Sequence, residues 1–184
     1  MNVSSMRILR YNVAASLDGY IADAQGAFDW IPDDSTVDFE ALFAKVDTYL
    51  LGRRTYDTVR ATATSPFNPN ARVYVFSRTL TPGTEKGVTI VRDDPVALAK
   101  SLRHEDGSGE IWLFGGGDLF ATLLDAGQVD RVEVTVVPVL LGGGVPLVAH
   151  IAQRGALALL HTEVYPTGMV ALHYKVLAAE GAAL

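Results

Sequence analysis

Three consecutive glycines, Gly115, Gly116 and Gly117, follow an apolar run and precede a stretch with helical spacing. Without a Cβ, a backbone turn can approach a phosphate closely, and the free N–H groups of the following helix complete an anion site. A tight strand-to-helix turn uses the same residues, and the spacing is not the Gly-x-Gly-x-x-Gly of a Rossmann dinucleotide turn. A second junction of this kind is Leu51-Gly52-Arg53-Arg54-Thr55-Tyr56. A glycine, two guanidinium groups and a hydroxyl at a helix start can grip a pyrophosphate. Ser77-Arg78 closes a third β-like run, and Arg92 follows a fourth. One arginine at a strand end is an ordinary solvated charge. Several strand ends carrying arginine, in a chain of formal charge −6, point to one polyanionic ligand, such as a nucleotide with an extra phosphate.

The elements that must position these residues alternate along the chain. Apolar β-like runs cover 8–15, 48–51, 72–76, 88–91, 111–114 and 131–140, and 158–165 and 169–177 flank the turn Pro166-Thr167-Gly168. Helical spacing appears over 37–46, where Phe39, Leu42, Phe43 and Val46 recur on one side. Asp94-Pro95 opens a helix through Leu102, with Asp as N-cap and Pro at the first position. A further helix over 118–126 stops at Gly127. Strand–helix–strand alternation predicts an α/β protein with a mostly parallel sheet, and the last two runs predict an antiparallel hairpin at one edge. In such sheets ligands bind at the carboxyl ends of the strands, where the strand order reverses.

The 184 residues suit a single domain, 1–184, with no linker or repeat. Fifteen Lys and Arg against twenty-one Asp and Glu argue against a nucleic-acid partner. The absence of Cys rules out disulfides, thiolate metal sites and a Cys nucleophile, and the four His show no metal-ligand spacing, so no metal is expected. No signal-peptide pattern or membrane span is read, and the expectation is a cytoplasmic protein.

The ordered series Gly52-Arg53-x-Thr55-Tyr56, then Phe76-Ser77-Arg78, then Phe114-Gly115-Gly116-Gly117-Asp118-Leu119-Phe120 resembles the cofactor-binding signature of dihydrofolate reductases. The opening Ala15-Ser16-Leu17-Asp18-Gly19-Tyr20-Ile21-Ala22 is similar to the first strand and turn of the reductase domain of the riboflavin-pathway bifunctional deaminase-reductases. The resemblance spans nearly the whole chain. It implies a dihydrofolate reductase-like α/β fold, with helices flanking the mostly parallel central sheet, and NADPH as cofactor. By the same resemblance Arg53, Ser77 and Arg78 hold the 2′-phosphate, Arg54 and Thr55 the pyrophosphate, and Arg92 stands near the adenosine phosphate. Gly115, Gly116 and Gly117, with Asp118 and Leu119 opening the helix, lie beside the nicotinamide, whose pocket Ala15 and Ile21 line. A cis peptide between the first two glycines is expected, and so is a homodimer.

On the substrate side the family carries a carboxylate early in its first helix, which assists protonation. Counting from Trp30-x-Pro32 favours Asp34 and counting along the helix favours Asp38; both also read as ordinary helix-start carboxylates. With Asp34 or Ser35 as cap, Asp38 lies one turn inside, which leans the choice to Asp38. Thr135 matches the threonine behind this carboxylate, and Phe28, Trp30 and Phe120 are candidate apolar walls. The riboflavin-pathway enzymes have Lys where Asn12 stands and Glu where Phe114 stands, and both of those hold the ribose-phosphate substrate. Three functions follow: an NADPH-dependent reductase acting on a C=N or C=O of a pterin- or pyrimidine-like heterocycle, the 5-amino-6-(5-phosphoribosylamino)uracil reductase itself, or an inactive NADPH-binding module.

Overall fold

The computed structural model describes residues 6–62, 65–107 and 109–178. Its centre is a nine-stranded sheet in the order β10-β11-β8-β1-β7-β3-β4-β6-β5. The strands are β1 (Leu9–Ser16), β3 (Val46–Gly52), β4 (Arg72–Phe76), β5 (Gly83–Glu85), β6 (Val88–Val91), β7 (Glu110–Gly115), β8 (Arg131–Val137), β10 (Leu157–Val164) and β11 (Val170–Val176). The six from β8 through β6 run parallel, while β11, β10 and β5 are antiparallel to their neighbours. The expected mostly parallel sheet with a C-terminal antiparallel hairpin is thus present. A small second sheet pairs β2 (Tyr20–Ala22) with β9 (Val145–Pro146).

Alternation along the strands builds two apolar layers. Leu9 and Tyr11 of β1 pack with Leu50, Ile111, Leu113 and the inward faces of α3 (Pro95–His104) and α4 (Gly117–Asp125). On the opposite face Tyr49, Leu51, Val73, Val75 and Trp112 pack against α1 (Phe39–Ala44) and α2 (Arg53–Ala61) through Leu42, Phe43, Tyr56 and Val59. From β3 the chain steps outward to β4 and β6, then returns to insert β7 between β3 and β1 before reaching β8. The strand order therefore reverses around β7, and a crevice opens there at the carboxyl ends.

Local chemistry sets most boundaries. Asp94 accepts from the Val96 N–H and Pro95 occupies the first turn of α3, as expected. Gly127, at φ +65°, follows the end of α4. The strand expected over 131–140 stops at Val137, because Pro138 has no N–H for the ladder. The helix expected from residue 37 begins at Phe39, with Asp38 as N-cap accepting from the Ala41 N–H at 2.8 Å. Asp38 is the cap itself rather than a residue one turn inside. Asp34 is not a helix cap: its carboxylate closes a turn on the Thr36 N–H and hydroxyl, at 2.9 and 2.6 Å. No helix of the described residues is long and apolar enough to cross a membrane.

Candidate active site

A cleft of about 2200 Å³ runs along the carboxyl ends of the parallel strands. At its centre Gly52 caps α2 and Gly116 caps α4, and neither helix start has a side-chain cap. The first N–H groups of each helix have no intrahelical partner and carry the positive end of the helix dipole. The two starts nearly touch. A Cβ on Gly115, whose φ is +141°, would stand 3.2 Å from the Thr55 hydroxyl, and one on Gly52 would stand 3.6 Å from the Gly115 carbonyl oxygen. The peptide joining Gly115 to Gly116 is cis.

The arginines gather at one end of this cleft. Arg53 donates to Asp57 at 2.6 Å and to the Thr79 hydroxyl at 3.0 Å. The Ser77 hydroxyl accepts from the N–H groups of Thr79 and Leu80 at 3.2 and 3.0 Å, which closes the turn after β4. Arg54, Arg78 and Arg92 also line the cleft, and among the described residues none of the three side chains makes a hydrogen bond or ion pair. Asp118, Leu119 and Ile21 line it too. Ala15 does not: it is 1% exposed within the core, and Ala14, on the opposite face of β1, takes the place expected for it.

The other end is floored by the sheet. Asn12 and Ala14 of β1, Trp112 and Phe114 of β7, Thr135 of β8, and Ala171 and His173 of β11 all face the cleft. Register aligns them in rows, Ala14 opposite Thr135 and Thr135 opposite Ala171, with Asn12 opposite Glu133 and Glu133 opposite His173 in the next row. The Asn12 side-chain NH2 donates to Glu133 at 2.7 Å. Arg10 lies 3.4 Å from the same carboxylate and its guanidinium sits over the Trp112 ring. Tyr165 donates to Glu163 at 3.1 Å on the hairpin.

Both candidate carboxylates line this end, but each is engaged structurally. Besides Thr36, Asp34 accepts from the hydroxyl of Thr167 at 2.7 Å, which pins the 30s loop to the β10–β11 turn. Those hydrogen bonds, the Thr36 hydroxyl first, lower its pKa from 3.8 to about 2. Thr135 reaches the cleft but hydrogen-bonds neither aspartate. Of the expected apolar walls only Phe28 lines the cleft; the Trp30 indole N–H donates to the Ala27 carbonyl, and Phe120 is buried against Tyr11. Asn12 and Phe114 entered the sequence reading only as departures from the riboflavin-pathway pattern, and Trp112 and His173 carry no local signal of their place in the cleft. A period of two on β1, β7 and β11 marks them as sharing faces, but only the register brings those faces together.

Comparison with known proteins agrees with this architecture. The chain is similar to two Bacillus subtilis proteins, the uncharacterized YyaP (29% identity, covering 94% of this chain and 96% of YyaP) and YwjB (32% identity, 88% and 94%). A Shewanella sp. PV-4 protein provisionally assigned to riboflavin biosynthesis superposes with a TM-score of 0.81 at 31% identity, covering 93% of this chain and 99% of that one. The Thermotoga maritima diaminohydroxyphosphoribosylaminopyrimidine deaminase/5-amino-6-(5-phosphoribosylamino)uracil reductase shares the fold (TM-score 0.69, 18% identity), and this chain covers 57% of it. Residues 7–171 match the RibD C-terminal domain, and the chain belongs to that family.

Proposed function

We propose that this protein is an NADPH-dependent reductase that transfers a hydride to a C=N or C=O carbon of a pterin- or pyrimidine-like heterocycle. The observation that carries the reading is the convergence, in a chain of net charge −6, of two helix starts without a side-chain cap and three guanidiniums unpaired among the described residues on one cleft. Such an arrangement suits a ligand with several phosphates. Arg53, Ser77 and Arg78 would hold the extra phosphate, Gly52, Arg54 and Thr55 the pyrophosphate, and Arg92 the adenosine side. The N–H groups around Gly115, Gly116, Gly117, Asp118 and Leu119, with Ile21, would orient the nicotinamide. When bound, the cofactor supplies the hydride, and the protein supplies orientation and a water-poor pocket.

The proton is a separate matter. Asp34 stays ionised down to about pH 2, so it holds no proton to donate near neutrality. Asp38 has its Oδ1 committed to the Ala41 N–H. Water admitted beside Asn12 and Thr135 is therefore the proposed donor. NADPH binding is tested by titration, and the chemical step by single-turnover oxidation of NADPH with a dihydropterin. Asp34→Asn and Asp38→Asn should keep the wild-type rate within a few-fold. A loss of about 100-fold in either, with NADPH binding intact, would make that aspartate the donor.

Family membership supports a second reading, the phosphoribosylamino-uracil reductase step itself. Asn12 and Phe114 stand where that activity would need a cation and a carboxylate. NADPH oxidation with the phosphoribosyl pyrimidine decides between the two.

A further inference from the structure

Charge is distributed unevenly along the cleft. Strand order places β6 and β11 at opposite ends of it, six strand spacings apart, or about 28 Å. Arg53, Arg54, Arg78 and Arg92 all follow β3, β4 or β6. Away from those strand ends the lining carries the carboxylates of the 23–38 segment, Asp23, Asp29, Asp33, Asp34 and Asp38, and of Glu163 on the terminal hairpin. Among the described residues, lysine and arginine enter the lining outside the arginine end only at Lys45, an exposed residue following α1. Arg10 lies under this part of the cleft but is already balanced, with Glu133 at 3.4 Å and Glu110 at 3.2 Å. Three further carboxylates line the rest of the cleft, Asp93 and the α3 cap Asp94 after β6 and Asp118 in the first turn of α4.

The floor beneath those carboxylates is chemically specific. Trp112 and Phe114 pack with ring centroids 5.2 Å apart and planes tilted by 51°; Trp112 is buried beneath Phe43 and Arg10, and the half-buried Phe114 is the ring left against which a flat ligand can pack. Beside them, the NH2 of Asn12 is committed to Glu133, and Glu133 is itself 6% exposed. One of the two N–H groups of the amide is thereby used and the amide is oriented, which leaves its carbonyl oxygen, without a partner among the described residues, as an acceptor for a ligand. A ring N–H meets that acceptor; a phosphate or carboxylate oxygen does not.

We infer that, within the reductase reading above, the substrate is an uncharged or cationic flat heterocycle offering an N–H to Asn12, and that the site discriminates against substrates bearing phosphate or carboxylate groups. A terminal anion on the substrate would lie among six carboxylates with Lys45 as its one compensating side chain. Repulsion of this kind rejects a competitor by raising its cost of binding rather than by improving the preferred contact.

The test uses 7,8-dihydrobiopterin, which has no anionic group, and 7,8-dihydrofolate, whose tail carries two carboxylates. Each is titrated into the full chain by quenching of tryptophan fluorescence, with and without NADPH. Dihydrobiopterin should bind at least about tenfold more tightly, and the ratio should shrink as salt screens the carboxylates. Asp33→Asn combined with Glu163→Gln should narrow the ratio by improving dihydrofolate, and Asn12→Leu should weaken dihydrobiopterin without affecting NADPH. Equal or tighter binding of dihydrofolate, or binding of neither pterin at millimolar concentration, overturns the inference. NADPH titrated alone reports separately on the reductase reading: its failure to bind would remove that reading, while the pterin ratio measured without cofactor would still decide the discrimination.

Discussion

At the scale of single residues, the arginine end of the cleft contains two kinds of guanidinium. Arg53 is held by Asp57 and Thr79, whereas Arg78 is exposed and unpaired among the described residues. A charge-assisted hydrogen bond to a phosphate contributes roughly 1.5–3 kcal/mol. Arg78→Ala should therefore weaken NADPH by about tenfold or more and leave NADH nearly unchanged; titration of both cofactors checks this, and an equal loss for the two would show that Arg78 does not read the extra phosphate. Asp34 gives a prediction of a different kind. Its pKa is depressed from 3.8 to about 2 by Thr36 and Thr167, so its contribution to stability is fully present above pH 4. That contribution disappears as pH falls through the folded-state value. Between pH 4 and pH 2 the wild type should lose more thermal stability than Asp34→Asn, whose amide does not titrate; parallel melting curves for the two would show that the tether is not sensed.

At the scale of elements, what was legible in the sequence is what is encoded locally. The Asp94-Pro95 start of α3, the Gly127 stop of α4 and the strand-to-helix junctions at Gly52 and Gly115 are each written within a few neighbouring residues. The strands β2, β5 and β9 are two or three residues long and too short to show a period. Asp34 looked like a helix cap because its partner Thr167 lies 133 residues away, and no local pattern announces that bond. The same holds for the Asn12–Glu133 row, which exists only through the parallel register of β1 and β8. The matched run Ala15 to Ala22 opens on Ala15 and puts it beside the nicotinamide, yet the alternation of β1 turns its side chain into the core. The start of α4 shows how tightly such junctions are fitted. A Cβ on Gly117 would come within 2.6 Å of the Pro146 carbonyl oxygen and 3.2 Å of that of Leu147. Alanine gains up to about 1 kcal/mol in helix propensity over glycine, but displacing packed backbone costs roughly 1–3 kcal/mol. Gly117→Ala should lower the melting temperature by a few degrees, and an unchanged or higher value would mean that β9 moves aside freely.

At the scale of the whole molecule, the sheet ends on one side in β10, an edge strand of eight residues. Leu159, Leu160 and Val164 on it are 57%, 55% and 73% exposed. An uncovered edge with unpaired N–H and C=O groups and apolar side chains is a site for pairing with another chain. We propose that two copies associate through it. Light scattering should give twice 19.7 kDa at micromolar concentration, and Leu160→Asp should return the mass to that of one chain. A wild-type mass of 19.7 kDa would end the proposal. The two walls of the cleft also differ in how they are fastened. On one side, Asp18 accepts from the N–H groups of Leu141 and Gly142, the Tyr11 hydroxyl donates to the Leu147 carbonyl, and the Leu147 N–H donates to Gly19. On the other side, the segment from Asp23 to Asp38 is held mainly by turns of its own and by the single side chain of Asp34 reaching Thr167. The first wall, tied by more long-range bonds, should therefore open locally less readily than the second. Ligand access should then depend on movement of the second wall, and the bonded amide protons of Leu141, Gly142 and Leu147 should exchange with solvent more slowly than those of the 23–38 segment, as hydrogen-exchange measurements would show.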